Sequence, residues 1–183
     1  MTGSRQTPAA IQVIVVTGPV GSGKTTTGRL VQETLAGQGV PCAFVDQDAL
    51  RMVLPTPPGD RFGSRLGYRN LAAVWTNLRD AGVQAVVIAD VVEDAQASRG
   101  DYLAALPGTT LTIVRLNVPM PLINERLRHR ERTSGDLAWS LARAPELQGV
   151  MENAGIGDLV IDVGTRSPEE IATEIIVRLG ILP

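Results

Sequence analysis

Lys24 is the only lysine in a chain of 183 residues; the other sixteen members of its Lys/Arg set are arginines. It belongs to the unbroken run Gly18-Pro19-Val20-Gly21-Ser22-Gly23-Lys24-Thr25, which fits the pattern G-x-x-x-x-G-K-[ST]. Glycines at these places let the backbone turn so that successive N–H groups point inward at a phosphate chain. The ammonium of Lys24 reaches phosphate oxygens as a compact charge, which the broad fork of arginine does not. The hydroxyl of Thr25 is suited to ligating Mg²⁺, and Thr26 follows directly. Ahead of the loop, residues 11–17 (IQVIVVT) form an apolar, β-branched run expected to be a buried strand. A helix starting near Gly23 adds the positive end of its dipole.

Two acids stand at the end of the next expected strand, in Asp46-Gln47-Asp48-Ala49-Leu50-Arg51. In a parallel sheet the carboxyl ends of the strands carry the ligands. One of the two acids can serve Mg²⁺, which keeps several waters and takes few carboxylates. The other can accept the proton of an attacking hydroxyl. Arg51 adds a cation for an acceptor. The competing reading is a helix cap, for which Asp48 is well suited. Asp90 follows Val86-Val87-Ile88-Ala89, the form of a strand that ends in an acid beside a nucleotide, and Glu93 and Asp94 lie close by.

Arginines make the third constellation. Asn124-Glu125-Arg126-Leu127-Arg128-His129-Arg130-Glu131-Arg132 places Arg126 and Arg130 on one helical face and Arg128 and Arg132 on another. Such a segment can be a lid that closes over a nucleotide, stabilises the transferring phosphoryl group and excludes water. It can also be a solvated face paired with Glu125 and Glu131. Arg143 is a further candidate, and His129 reads as a surface residue. Between strands two and three, the Pro/Gly-rich loop 55–67 and the helix after it offer Arg61, Arg65, Tyr68, Arg69 and Asn70 as acceptor contacts.

The elements that must position these groups alternate strand and helix, which predicts a parallel sheet covered on both faces. Strands are expected at 11–17, 40–46, 84–90, 110–117 and 158–163, and helices at about 24–37, 48–53, 67–81, 97–105, 119–131, up to 153, and from Ser167 onward. Ser167, Pro168, Glu169 and Glu170 carry the signals of a helix start. Residues 1–10 are expected to be a flexible tail without a hydrophobic signal core, and 11–183 a single domain with a lid at about 126–143. The formal net charge of −2 gives no general nucleic-acid surface. No apolar run approaches the ~18 residues of a membrane span. Cys42 is the only cysteine, which leaves neither a disulfide framework nor a cysteine metal site; it reads as a small buried hydrophobe in a strand. The expected setting is cytoplasmic, as a monomer or homodimer.

Together, GPVGSGKTT, DQDALR, the IAD strand end and the ERLRHRER segment resemble the small P-loop kinases of the nucleoside-monophosphate-kinase-like superfamily. The D-x-D-x-L-R stretch is similar to adenylylsulfate kinases and, more loosely, to shikimate and gluconate kinases. Overall size and the region around Val45 and Asp46 also resemble chloramphenicol phosphotransferase. The resemblance implies an α/β/α fold with sheet order 2-3-1-4-5. It implies that Gly18, Gly21, Ser22, Gly23, Lys24, Thr25 and Thr26 hold ATP phosphates and Mg²⁺. Asp46 would act near the metal, Asp48 would contact and deprotonate the acceptor, and Arg126 and Arg130 would be lid arginines. The base would lie between the lid helix and the loop Val163-Gly164-Thr165-Arg166, with Gly164 and Arg166 as contacts.

The resulting expectation is a kinase that moves the γ-phosphoryl group of ATP or GTP onto a hydroxyl of a natural product, antibiotic or nucleoside-like acceptor. Asp48, Arg51, Arg65, Arg69 and Asp90 are the substrate-side candidates. The fuller substrate pattern of an adenylylsulfate kinase is missing between strands two and four, as is the arginine pair of nucleoside-monophosphate acceptor sites. An adenylylsulfate or other primary-metabolite kinase and a non-kinase NTPase are the alternatives. A Ras-like switch is disfavoured because N-K-x-D needs a second lysine.

Overall fold

A computed structural model describes residues 10–181; the expected tail lies outside the described residues up to residue 9. Five strands, β1 (Ile11–Thr17), β2 (Cys42–Asp46), β3 (Ala85–Ala89), β4 (Thr109–Asn117) and β5 (Leu159–Asp162), form one sheet in the order 2-3-1-4-5. Every pairing is parallel. The helices are α1 (Lys24–Gly37), α2 (Gln47–Leu50), α3 (Ser64–Asp80), α4 (Ala95–Ala105), α5 (Met120–Arg130), α6 (Ser134–Asn153) and α7 (Pro168–Leu179).

β1 sits at the centre, and its alternation decides both layers. Ile14 and Val16 point to one side and pack with Val31 and Leu35 of α1, Ile123 and Leu127 of α5, and Ile171 and Ile175 of α7. Val13 and Val15 point to the other and pack with Leu71 and Trp75 of α3, Tyr102 of α4 and Met151 of α6. All four β1 residues are fully buried. Burial of such side chains stabilises by roughly 1.5–3 kcal/mol each, so the strand that launches the glycine loop is anchored from both faces. The ends of β1, β2 and β3 then lie side by side, as the register Val16↔Ala89 and Asp46↔Ala89 requires.

Expected and observed boundaries differ by a few residues. α3 begins at Ser64 rather than 67, because Gly63 (φ 65°) caps it and Asp60 accepts from the backbone N–H groups of Arg65 and Leu66. A Cβ at Gly63 would lie 2.9 Å from the Arg51 carbonyl oxygen, so only glycine lets this loop close on Arg51. α7 opens on a complete capping box between Ser167 and Glu170 with Pro168 at its first turn.

Candidate active site

The glycine loop folds tightly between β1 and α1. Gly21 has φ 83°, and a Cβ there would meet Leu127 of α5 at 3.0 Å. The left-handed backbone and this close approach both demand glycine, and they seat α5 directly over the loop. Lys24 donates to the Pro19 carbonyl at 3.2 Å, curling over the loop. Burial pushes its ammonium down to about 8, against the opposing pull of Asp48, Asp90 and Asp46. The hydroxyl of Ser22 is buried and has no hydrogen-bond partner, a polar group directed into a loop built for a ligand.

Thr25 donates to Asp46 Oδ2 at 3.3 Å. Asp46 Oδ1 accepts from the Asp48 backbone N–H at 3.1 Å, so Asp46 is the cap of α2. This corrects the capping reading of Asp48: the cap is two residues earlier, and the Asp48 side chain is exposed. A hydroxyl and a carboxylate side by side are the hard oxygen donors that Mg²⁺ takes, with phosphate oxygens and water completing the shell. The residues present fit that ion.

Arg51 holds Asp48 through its Nε at 2.9 Å and through Nη2, both on Oδ1. Its Nη2 also reaches Asp90 Oδ1 at 3.2 Å. Asp90 is buried and accepts from the Tyr102 hydroxyl at 2.6 Å. Burial raises the Asp90 carboxyl above its ordinary range, with Arg51 and Tyr102 pulling the other way. Burial also pushes Tyr68, whose ring meets that of Tyr102 edge-on at 5.1 Å, up to about 12. Tyr102, Asp90, Arg51 and Asp48 therefore form one chain from the core to the mouth of the site.

Three cavities follow one another across the strand ends. The middle one, ≈ 360 Å³, lies between the loop from Gly21 to Thr26 and the pair Arg126 and Arg130. Arg126 also donates to the Ser22 carbonyl at 3.1 Å. One turn apart, the two arginines both border the loop cavity; Arg126 is half-buried, and Arg130, like Arg128 and His129, is exposed. Arg130 additionally pairs with Glu131, which accepts from Ser140 at 3.0 Å and ties α5 to α6. A second cavity, ≈ 180 Å³, opens behind Arg126, between Ser22, Thr26, Val163, Pro168 and Ile171. Gly164 has φ 53° in the adjoining turn. Arg166 bonds to Glu174 and to the Asp162 carbonyl, and neither residue lines that cavity.

The third, ≈ 350 Å³, is lined by Lys24, Thr25, Asp48, Arg51 and Arg130. Phe62, Val91, Glu93, Trp139 and Arg143 complete its lining. Arg143 pairs with Glu93 and Glu146. Phe62 and Trp139 were not singled out by sequence; an aromatic just before a helix-capping glycine is the only local signal for the first, and nothing local marks the second. Arg65 and Arg69 do not join this cavity. They are four residues apart on the side of α3 turned away from Gly67, Leu71 and Trp75, and they line a separate ≈ 550 Å³ pocket with Asp60, Tyr68 and Asp101. Asn70 donates to the Leu50 carbonyl at 2.6 Å, joining α3 to α2.

A family model described as an AAA domain matches residues 13–148. Among solved structures, the tunicamycin resistance protein of Deinococcus radiodurans is similar at TM-score 0.64 and 21% identity, over 92% of this chain and 95% of that one. A Mycobacterium tuberculosis APS kinase in complex with AMPPNP and APS matches at TM-score 0.64 and 22% identity, over 94% and 99%. A gluconokinase from Sinorhizobium meliloti 1021 matches at TM-score 0.55 and 26% identity, over 94% and 93%. No curated protein matches the chain. Sheet order and these likenesses give the fold: that of a P-loop kinase of the nucleoside-monophosphate-kinase-like type. Among the described residues no helix is long and apolar enough to cross a membrane.

Proposed function

The chain belongs to this AAA-domain family, and on that premise we propose that it transfers the γ-phosphoryl group of ATP or GTP to a hydroxyl of a small molecule. The observation that carries the reading is a shared wall. Lys24, Thr25 and Arg130 border both the cavity over the glycine loop and the cavity that holds Asp48. A phosphoryl group held at that wall faces donor on one side and acceptor on the other, the in-line geometry that phosphoryl transfer needs.

The loop backbone from Gly18 to Thr26, with Ser22 and Lys24, holds the phosphate chain, and the cavity behind Arg126 takes the base. The acceptor hydroxyl lies against Asp48, whose Oδ1 is held by Arg51 and whose Oδ2 takes the proton. The acceptor oxygen bonds to the γ-phosphorus as the bond to the bridging oxygen breaks, leaving a phosphomonoester and a nucleoside diphosphate. Arg126 and Arg130 stabilise the charge spread over the equatorial oxygens and exclude water. Mg²⁺ at Thr25 and Asp46 supplies charge neutralisation when bound. Residues 11–183 act as one domain, with the lid running from Arg126 on α5 to Arg143 on α6.

The acceptor class we favour is a natural product, antibiotic or nucleoside-like compound, supported by the aromatic walls Phe62 and Trp139. The test is mass spectrometry of pooled hydroxyl compounds, nucleosides and antibiotics incubated with protein and Mg-ATP or Mg-GTP. One acceptor gaining a single phosphoryl mass, and failing to do so with Lys24→Ala, is the expected result. Nucleotide hydrolysis with no phosphorylated acceptor from any pool would replace this reading with that of a non-kinase NTPase.

A further inference from the structure

The acceptor cavity holds four charged side chains besides those it shares with the phosphate cavity. Asp48 and Glu93 are acids; Arg51 and Arg143 are cations. Each arginine is clamped by two carboxylates. Arg51 lies between Asp48, 2.9 Å from its Nε, and Asp90, 3.2 Å from its Nη2. Arg143 lies between Glu93 and Glu146, the latter 2.7 Å from its Nη1. Both guanidinium groups are mostly buried, at 16% side-chain exposure. Arg143 is further held over the Phe62 ring, 5.9 Å from its centroid.

These four charges sum to zero, and the other acids that pair with the two arginines, Asp90 and Glu146, add only negative charge. Lys24 and Arg130 also border the cavity, but they face the triphosphate, whose charge they offset. Apart from these two, an anionic acceptor would find no uncommitted guanidinium in the lining; Arg61, 5.1 Å from the Phe62 ring centroid, is not part of it. It would have to break a partly buried ion pair and leave a carboxylate unpaired, which is costly. Phe62 and Trp139 also line the cavity and are 51% and 56% exposed. Aromatic faces so open offer apolar area that a flat or apolar acceptor covers.

We infer that the acceptor is an uncharged or cationic hydroxyl compound with an aromatic or apolar face, and that carboxylate-, sulfate- and phosphate-bearing acceptors are excluded by the doubly clamped arginines Arg51 and Arg143. Calling this cavity the acceptor site rests on the kinase reading; the charge preference of the cavity is measurable without it.

Trp139 supplies the readout. Trp75 is only 3% exposed, so an added probe quenches Trp139, and Trp139→Phe removes the signal. Three probes share a phenyl ring and a hydroxyl and differ in charge: phenylpropanediol (neutral), phenylalaninol (cationic) and phenyllactate (anionic). With protein loaded with Mg-AMPPNP, the diol and the amine should quench saturably, and phenyllactate should bind at least about tenfold more weakly. Replacing Glu93→Gln and Glu146→Gln together releases Arg143, and should narrow the gap between diol and phenyllactate several-fold. Phenyllactate binding as tightly as the diol overturns the inference, as does absence of quenching by both the diol and the amine. A protein with the expected preference that phosphorylates nothing refutes the kinase reading alone; one that phosphorylates an acceptor yet prefers phenyllactate refutes the inference alone.

Discussion

The cavity over the glycine loop and the cavity beside Asp48 share a wall but are built by opposite means. The first is mostly backbone. The stretch from Gly21 to Thr26 makes its floor, local turn geometry shapes it, and α5 borders it with two arginines one turn apart. The second is mostly side chain. Asp48 and Arg51 come from α2 and its cap, Phe62 from the loop before α3, Glu93 from the segment after β3, and Trp139 and Arg143 from α6. A site encoded by contiguous backbone is insensitive to small shifts of neighbouring helices. A site assembled from distant side chains changes whenever α3 or α6 moves, so acceptor choice can vary while phosphate binding persists.

The strongest way to break this contrast is at Lys24, the one lysine of the chain. Lys24→Met should abolish turnover, by about 10³-fold or more in kcat, since it removes a positive group from the developing transition-state charge. The same variant should be more stable than the parent without nucleotide at pH 7. Burial lowers Lys24 from 10.5 to about 8, so between those values the unfolded chain binds more protons than the folded one. The parent therefore gains stability as pH rises from about 8 to 10.5, whereas the methionine variant lacks this gain. Thermal melts across that range check the sign; a parent whose melting temperature is flat relative to the variant would mean the ammonium is well solvated.

On the acceptor side, Asp48→Asn should lower kcat by about 10²–10⁴-fold while leaving nucleotide affinity unchanged. Because Asp46 caps α2, the melting temperature should hardly move. A large loss of stability with normal transfer would make Asp48 a structural residue. Next in size, Arg126→Ala combined with Arg130→Ala should cut kcat by about 10²-fold and weaken nucleotide binding less than that. Equal losses in both would show that the pair grips ground state and transition state alike. Smallest is Tyr102→Phe, which removes the 2.6 Å bond to Asp90. It should cost about 1–3 kcal/mol of unfolding free energy and slow transfer by less than about tenfold, through the loosened Arg51. An unchanged melting curve would detach Tyr102 from the chain that ends at Asp48.

The same contrast explains what could be read from the sequence. The glycine loop, β1, the acids after β2, the arginine pair on α5 and the cap of α7 are each written in neighbouring residues, and the alternation of strands and helices implied the parallel sheet. The acceptor wall is not written that way. Arg65 and Arg69 looked suitable beside a substrate, yet the phase of α3 is set at Gly63, and the buried stripe Gly67, Leu71 and Trp75 turns them to another pocket. Trp139 is one residue among a helix's many, and only the docking of α6 brings it into the cavity that Asp48 lines. Asp90 read as an acid beside the nucleotide or substrate; its bonds to Tyr102 and Arg51 span 12 and 39 residues of sequence, which no local pattern shows.

The solitary lysine has a practical consequence. At a pH near 8 about half of the Lys24 amines are unprotonated, while a freely solvated lysine amine, near 10.4, is almost wholly ammonium. Acylating reagents attack the free base, and no other lysine competes. Cys42 does not interfere, because burial pushes its thiol up to about 12. A succinimidyl ester should therefore mark one lysine, beside the glycine loop, in addition to the chain's α-amine, which titrates near the same pH, and peptide mapping separates the two. Protection of that mark by added nucleotide would turn the lysine into a direct gauge of how full the donor site is.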